Sequence, residues 1–221
     1  MSDTLLIKSK IKKFNKKIKV SGDKSLSIRW VLLASQATGV SKAYNLLMSE
    51  DVLAAIDSIK KLGIKVKIYK NYCEIFGKGL NGFNFKKNLI LDAKNSGTLG
   101  RLMLGLLIKA PKKIKLVGDR SLSKRDFSRV TEPLEKFGAK FYYKKKNKLP
   151  LFILGSKSVA GIHYLENKGS AQCKSSVMLA ALNSSGATSI KAKKSRNHTE
   201  LLFKYLKIPI KVRKSKKYDF I

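Results

Sequence analysis

The segment Leu62–Ile68, LGIKVKI, has two altered copies in the same chain: Phe137–Tyr143 reads FGAKFYY and Leu206–Val212 reads LKIPIKV. Their starts lie 75 and then 69 residues apart. A period of that length marks a repeated supersecondary unit. Each copy is strand-like in its spacing, and each follows an amphipathic helical pattern. In the first, Val52, Ile56, Ile59 and Leu62 recur at intervals of four and three. Phe127, Val130, Leu134 and Phe137 repeat that pattern in the second. The third, HTELLFKYL, is shorter, with Leu202 and Leu206 four apart.

Further upstream lie three more apolar segments, SIRWVLLASQ, GRLMLGLLIK and CKSSVMLAAL. A helix that is apolar nearly all round is a buried helix. Each is followed by a turn and a strand: TGVSKAYNL, APKKIKLVG and SGATSIKAK. The unit therefore reads strand–helix–strand–helix–strand–strand. The expected fold is α+β, with three βαβαββ units, buried helices on a shared axis and sheets outside. The repeats run over approximately 19–90, 91–160 and 161–221. Residues 1–18 fit none of them. KKKNK (Lys144–Lys148) reads as a solvated loop. GKGLNG (Gly77–Gly82) lacks the strand–loop–helix context of a phosphate loop and reads as a hairpin turn.

The 221 residues carry 48 Lys+Arg against 14 Asp+Glu, a formal charge of +34. Three readings follow: a nucleic-acid binder, an enzyme whose positive field draws anionic substrates, or lysines accumulated on exposed faces. The lysines are spread along the whole chain, which favours the third. Aromatic residues do not interleave with basic ones as a stacking platform would require, so nucleic acid is not an expected partner. Cys73 and Cys173 lie far apart without metal-ligand spacing and read as reduced thiols. The N-terminus alternates apolar and basic residues instead of carrying a signal core. No apolar run approaches the ~20 residues of a membrane span. A cytoplasmic location is expected.

The chemistry-bearing residues sit where the buried helices begin. Those stretches are DKSLSIR (Asp23–Arg29), NSGTLGR (Asn95–Arg101) and GSAQCKS (Gly169–Ser175). A helix N-terminus offers unpaired N–H groups and a partial positive charge, and three converging would form an anion-binding surface. Taken singly, Asp23, Asn95 and Ser170 read as N-caps. Capping needs one residue, whereas these stretches use five or six, and Lys24, Arg29 and Arg101 add formal charge. A further basic cluster, GDRSLSKRDFSR (Gly118–Arg129), holds Arg120, Lys124, Arg125 and Arg129. It reads either as a phosphate- or carboxylate-binding fork or as a solvated basic loop. His198, in KSRNHTE, reads as structural.

Taken together, SGDKSLSIR, NLLMSEDVLAAIDSIKKLGIKV, NSGTLGRL, GDRSLSKRDFSRVTEPLEKFGAK, GSAQCKSSVMLAAL and SRNHTE resemble the N-terminal half of 5-enolpyruvylshikimate-3-phosphate synthases, in that family's order. The likeness covers residues ~18 to 213. It implies an inside-out α/β barrel domain, one of two in the family, and enolpyruvyl transfer from phosphoenolpyruvate to the 5-hydroxyl of shikimate 3-phosphate. It implies no metal or organic cofactor. By resemblance, Lys24, Ser25, Arg29, Ser170, Gln172, Ser195 and Arg196 contact shikimate 3-phosphate. Lys24, Asn95, Gly97, Arg101, Arg125 and Gln172 match the phosphoenolpyruvate side, where glyphosate also binds. No residue here is assigned as the acid or base, Lys24 being the nearest candidate. The resemblance implies that the acid and base carboxylates come from the second domain, and residues 1–18 resemble the opening strand that pairs with it. The chain accordingly reads as a fragment, a truncated product or half of a split enzyme, inactive alone. The related UDP-N-acetylglucosamine enolpyruvyl transferases share the fold but lack the DKS…R opening in this form. A non-catalytic basic nucleic-acid-binding protein is the alternative from another class. The single Trp30, beside Arg29, is expected to report ligand binding.

Overall fold

A computed structural model of the chain describes residues 6, 8–10, 13, 15 and 17–221. The opening strand expected over residues 1–18 lies largely outside the described residues. Three long apolar segments become the helices at the centre of the molecule: α1 (Lys24–Gln36), α3 (Gly97–Leu106) and α6 (Ala171–Ala181). Ile28, Val31, Leu32, Leu102, Met103, Leu104, Val177 and Leu179 on these helices are fully or almost fully buried. α3 and α6 approach so closely that a Cβ on Gly105 would sit 2.2 Å from the carbonyl oxygen of Ser176. Only glycine permits that crossing. The amphipathic patterns become α2 (Glu50–Lys61), α5 (Ser128–Glu135) and α7 (His198–Tyr205). Val52, Ile56 and Ile59 of α2, and Val130 and Leu134 of α5, turn into the core.

Three separate sheets, none closed on itself, surround the helices. The first is ordered β1-β3-β2, from β1 (Thr38–Tyr44), β2 (Lys65–Ile68) and β3 (Tyr72–Lys78). The second is ordered β4-β5-β7-β6, from β4 (Ile90–Asp92), β5 (Ile114–Val117), β6 (Lys140–Tyr143) and β7 (Leu151–Leu154). The third is ordered β8-β9-β11-β10, from β8 (His163–Glu166), β9 (Ser189–Lys193), β10 (Arg213–Lys214) and β11 (Tyr218–Phe220). Second and third sheets share one plan. Their opening strand runs parallel to the next, β4 beside β5 and β8 beside β9, and the remaining pairings are antiparallel. The first sheet has the same order without an opening strand among the described residues.

Strand alternation explains where the charge goes. Ile114 and Leu116 of β5, and Ile190 and Ala192 of β9, face the core. The residues between them, Lys115 and Lys191, face outward, as a period of two requires. Part of the lysine surplus is therefore a coat on the outer sheet faces.

Three local expectations need correction. Leu206–Val212 is not a strand: Lys207 takes a left-handed φ of 56°, Pro209 has no N–H to give a ladder, and the strand shrinks to Arg213–Lys214. Gly77–Gly82 is no hairpin, because its turn, closed by Gly82 N–H to Gly79 O at 3.1 Å, carries the chain out of one sheet toward the next. The basic cluster after β5 contains an unexpected one-turn helix, α4 (Arg120–Ser123). None of the described helices is long and apolar enough to cross a membrane.

Candidate functional site

Each central helix is capped by a side-chain oxygen. Asp23 Oδ1 accepts from Leu26 N–H at 2.7 Å, Ser96 Oγ from Leu99 N–H at 3.2 Å, and Ser170 Oγ from Cys173 N–H at 3.3 Å. The cap of α3 is thus Ser96, not Asn95. The Asn95 amide instead donates to Asp119 Oδ2 at 2.5 Å, and Asp119 Oδ1 caps α4 through Leu122 N–H at 2.7 Å. Those N–H donors hold the Asp119 carboxyl below its ordinary range. Asn95, expected on the phosphoenolpyruvate side, here acts as a strap between α3 and the basic loop. Its expected part in capping falls because the residue after it points a hydroxyl at the helix N–H groups.

The first turns of the three helices are tied to one another. Arg29, almost wholly buried, donates through Nε to Thr199 Oγ1 at 2.7 Å and through Nη2 to Ser175 Oγ at 3.0 Å. A third bond runs from Nη1 to the Ser25 carbonyl at 3.0 Å. Ser175 and Thr199 hydroxyls also meet at 2.7 Å. Beneath them Lys174 and Glu200 form a buried ion pair at 2.5 Å. Burial lowers the Arg29 pKa, Glu200 opposes that effect, and Arg196 adds to it. A guanidinium has five N–H donors, so Arg29 keeps donors beyond these three bonds. Ser195 Oγ is shielded from solvent and has no hydrogen-bond partner among the described residues.

On the other side of α6, Arg101 Nη1 donates to Gln172 Oε1 at 3.0 Å and to the Gly97 carbonyl at 3.3 Å, and Nη2 donates to the Asp126 carbonyl at 3.2 Å. Its guanidinium lies 5.0 Å from the Phe127 ring centre. Gln172 Nε2 donates to Thr98 Oγ1 at 3.1 Å. Burial lowers the Arg101 pKa as well, with Cys173 opposing and the neighbouring Arg125 and Arg129 adding. A Cβ on Gly97 would stand 2.7 Å from Arg101 Nη1 and 3.0 Å from Arg125 Nη1. Two guanidinium tips therefore flank this glycine at the start of α3.

Lys24, 54% exposed, meets Asp51 Oδ2 of α2 at 2.7 Å. Asp51 is a carboxylate that sequence reasoning left out of the site, although it lies inside the quoted SED. Its position in the first turn of α2 suits the helix dipole, and that role hid the other. Thr98, Ser175 and Thr199 were likewise missed, because a hydroxyl within a helix carries no sequence signal of its own. Lys174 did carry one, as a single charge in an otherwise apolar run. Trp30 is not at this surface. It lines an apolar hollow of about 470 Å³ with Leu33, Leu182, Leu206 and Ile208, so direct contact with a ligand at the helix starts is not expected of it.

The structure thus brings Arg29 and Ser25 together with the Ser175–Thr199 pair, places Arg196 close enough to perturb Arg29, and joins Gly97, Arg101, Arg125 and Gln172 around the start of α3. It turns Asn95 away to Asp119 and commits Ser170 Oγ as an acceptor, leaving its own O–H to donate. Among the described residues no group of three or more His, Cys, Asp or Glu is arranged to hold a metal ion. Cys73 and Cys173 are buried, unlinked thiols, and burial pushes both up from the ordinary thiol range.

The sequence model of EPSP synthase (3-phosphoshikimate 1-carboxyvinyltransferase) matches residues 8–220. A 3-phosphoshikimate 1-carboxyvinyltransferase of Bacillus cytotoxicus is 40% identical over 195 residues, covering 87% of this chain and 46% of the relative. The protein of the same name from Ruthia magnifica is 43% identical over 201 residues, covering 90% and 46%. The solved EPSP synthase of Acinetobacter baumannii superposes with a TM-score of 0.84 at 31% identity, covering 93% of this chain and 46% of that one. The chain spans about half the length of the curated relatives it matches.

Proposed function

We propose, from the premise that this chain belongs to the EPSP synthase family, that it forms the substrate-gathering half of an enolpyruvyl transferase acting on shikimate 3-phosphate and phosphoenolpyruvate. The observation that carries this is the cross-linking of the three helix starts by Arg29, Arg101 and Gln172, with cationic groups far in excess of what capping requires. N–H groups, helix dipoles and guanidinium forks suit two anionic substrates at once. Lys24, Ser25, Arg29, Ser170, Gln172, Ser195 and Arg196 take the shikimate 3-phosphate side. Gly97, Arg101 and Arg125 take the phosphoenolpyruvate side, with Lys24 and Gln172 reaching both. The spare donors of Arg29 and the unpartnered Ser195 hydroxyl are the groups best placed to gain a bond on binding.

In the reaction the family name implies, the 5-hydroxyl of shikimate 3-phosphate adds to the central carbon of phosphoenolpyruvate and gives its proton to a base, the methylene carbon gains a proton to become a methyl group, and phosphate leaves as that methyl group loses a proton. This chain's residues bind, orient and neutralise. The carboxylates near them are engaged: Asp23 and Asp119 cap helices, Asp126 accepts from the Ser128 N–H, and Asp51 is paired with Lys24. A general base must reach the reacting hydroxyl at ~3 Å, and the remaining half of the family's length is proposed to bring it, together with water exclusion.

The test is phosphate release from phosphoenolpyruvate plus shikimate 3-phosphate, with calorimetric binding in parallel. Weak shikimate 3-phosphate binding without turnover is expected of the chain alone, and turnover on mixing with a separately made second half. Turnover by the chain alone, abolished by Arg125→Ala, would mean that the acid and base lie within it, with Asp51 the first carboxylate to suspect.

A further inference from the structure

The outer face of the first sheet differs from those of the other two. Tyr44 on β1 lies directly opposite Tyr72 on β3 in the strand register, with ring centres 5.8 Å apart. Tyr69, in the turn between β2 and β3, bonds its N–H to the Tyr72 carbonyl at 2.9 Å and stacks on the Tyr72 ring at 4.4 Å. Lys42, two residues before Tyr44 on the same face, sets its ammonium 3.7 Å from the Tyr72 ring centre. Tyr72 is half-buried between Tyr69 and Lys42, whereas Tyr44 is 68% exposed and Tyr69 40%, so these two rings are the open ones. They border a hollow of about 380 Å³ whose rim also carries Lys19, Lys70 and Asn71. Glu74 pairs with Lys42 at 3.8 Å, while Lys19 and Lys70 make no ion pair among the described residues.

The other two sheets have the lysines without the ring cluster. Lys113 stands over Tyr142 at 4.0 Å and Lys191 over Tyr218 at 5.0 Å. Among the described residues, the ring–ring pairs on outer sheet faces are those of Tyr44, Tyr69 and Tyr72. The sequence hid this arrangement, because the three tyrosines come from different strands and a turn.

We propose that the Tyr44–Tyr72–Tyr69 ladder and its lysine rim form a binding site for single-stranded nucleic acid on the outer face of the first sheet. Flat exposed rings give bases a stacking platform that is tolerant of sequence, and flanking ammonium groups meet the phosphates. The concave shape suits a flat ring entering between side chains better than a bilayer surface, which calls for a protruding apolar wedge. The net charge of +34 supplies the long-range attraction, and the tyrosines supply the location.

The internal repeats provide the control. A fluorescein-labelled oligouridylate of about twelve nucleotides, within the usual span of such sites, is titrated with the full chain and followed by anisotropy. Tyr44→Ala/Tyr69→Ala is expected to weaken binding roughly ten- to a hundredfold. Tyr44→Phe/Tyr69→Phe keeps the rings and should retain affinity, as should Tyr142→Ala/Tyr218→Ala on the other sheets. With Lys19, Lys42 and Lys70 on the strand, log affinity should fall against log salt with a slope of about −2. Three results would overturn the site. One is equal affinity of every variant, which means diffuse charge attraction only. Another is a duplex of the same length binding as tightly as the single strand. The last is binding to phosphatidylserine vesicles that the alanine pair abolishes while oligouridylate binding is unchanged.

Discussion

Arg29 and Arg101 both leave the second turns of central helices, yet their surroundings are built on different plans. Arg29 sits in a dry interface among α1, α6 and α7, held by two hydroxyls and a carbonyl, above the buried Lys174–Glu200 pair. A carboxylate inside the structure offsets part of its charge. Arg101 lies among cations, with Arg125 and Arg129 near it and the Asp126 carboxylate opposing them in smaller part, and is held mainly by carbonyl oxygens and an amide. The first region is held mostly by internal partners, with spare Arg29 donors and the Ser195 hydroxyl left over. The second gathers positive charge around Gly97 and leaves it for an anion to neutralise. The difference teaches that one surface at the helix starts can combine a rigid wall with an adaptable one, and that stability and affinity should separate between them.

The largest expected effect tests the rigid wall. Glu200→Leu leaves Lys174 buried and unpaired, which should cost about 3–5 kcal/mol of stability, read from urea unfolding. The double variant Lys174→Met/Glu200→Leu should recover most of that loss, since well-packed apolar replacements of buried pairs are often neutral. If the single variant unfolds like the wild type, the pair is not the keystone of the interface.

Next comes the exposed lysine between the walls. Lys24→Ala should weaken shikimate 3-phosphate binding by about 1.5–3 kcal/mol, the range for hydrogen bonds to charged groups. Its pair with Asp51 is a partly exposed one, worth ~0–1 kcal/mol, so the thermal midpoint should hardly move. A large drop in melting temperature with unaltered affinity would make Lys24 a structural residue.

Gly97→Ala probes the adaptable wall. The new methyl would meet the Arg101 and Arg125 tips at 2.7 and 3.0 Å, and overpacking of this kind costs roughly 1–3 kcal/mol where neighbours cannot yield. Here the neighbours are ends of flexible side chains, so stability should be nearly unchanged and the ligand should bear the loss. In an assembled two-half enzyme, the glyphosate inhibition constant should rise more than the phosphoenolpyruvate constant. Equal losses for both would place glyphosate elsewhere.

Ser195→Ala is the mildest change. Removing a shielded hydroxyl that lacks a partner should leave the free chain as stable or slightly more so. Loss of one neutral hydrogen bond should weaken shikimate 3-phosphate by about 0.5–1.5 kcal/mol. Unchanged affinity in calorimetry would remove Ser195 from the ligand's contacts.

Legibility differed sharply along the chain. Phe127, Val130, Leu134 and Phe137 could be read as one buried face, because helical period and burial are local properties. The capping role of Asp23 was readable for the same reason. Asn95 was misjudged since capping turns on which of two adjacent polar side chains points at the helix, and the choice of Ser96 depends on Asp119 being placed to take the amide. LKIPIKV resembled a strand until Pro209 and Lys207 acted on the backbone. Asp51 went unseen because a carboxylate in the first turn of a helix already has a sufficient local explanation.

The sequence by itself determined the threefold repetition, the three buried helices, the surplus of polar and cationic groups at their starts, and the likeness to one family, all of which are written in short stretches of adjacent residues. Only the tertiary structure decided that Lys174 finds Glu200, that Arg29 is spanned by Ser175 and Thr199, that Gly97 stands between two guanidinium groups, and that Tyr44, Tyr69 and Tyr72 share one face. Those contacts join residues from different elements, up to 170 positions apart for Arg29 and Thr199. Their geometry follows from how helices and sheets pack, which no local pattern encodes.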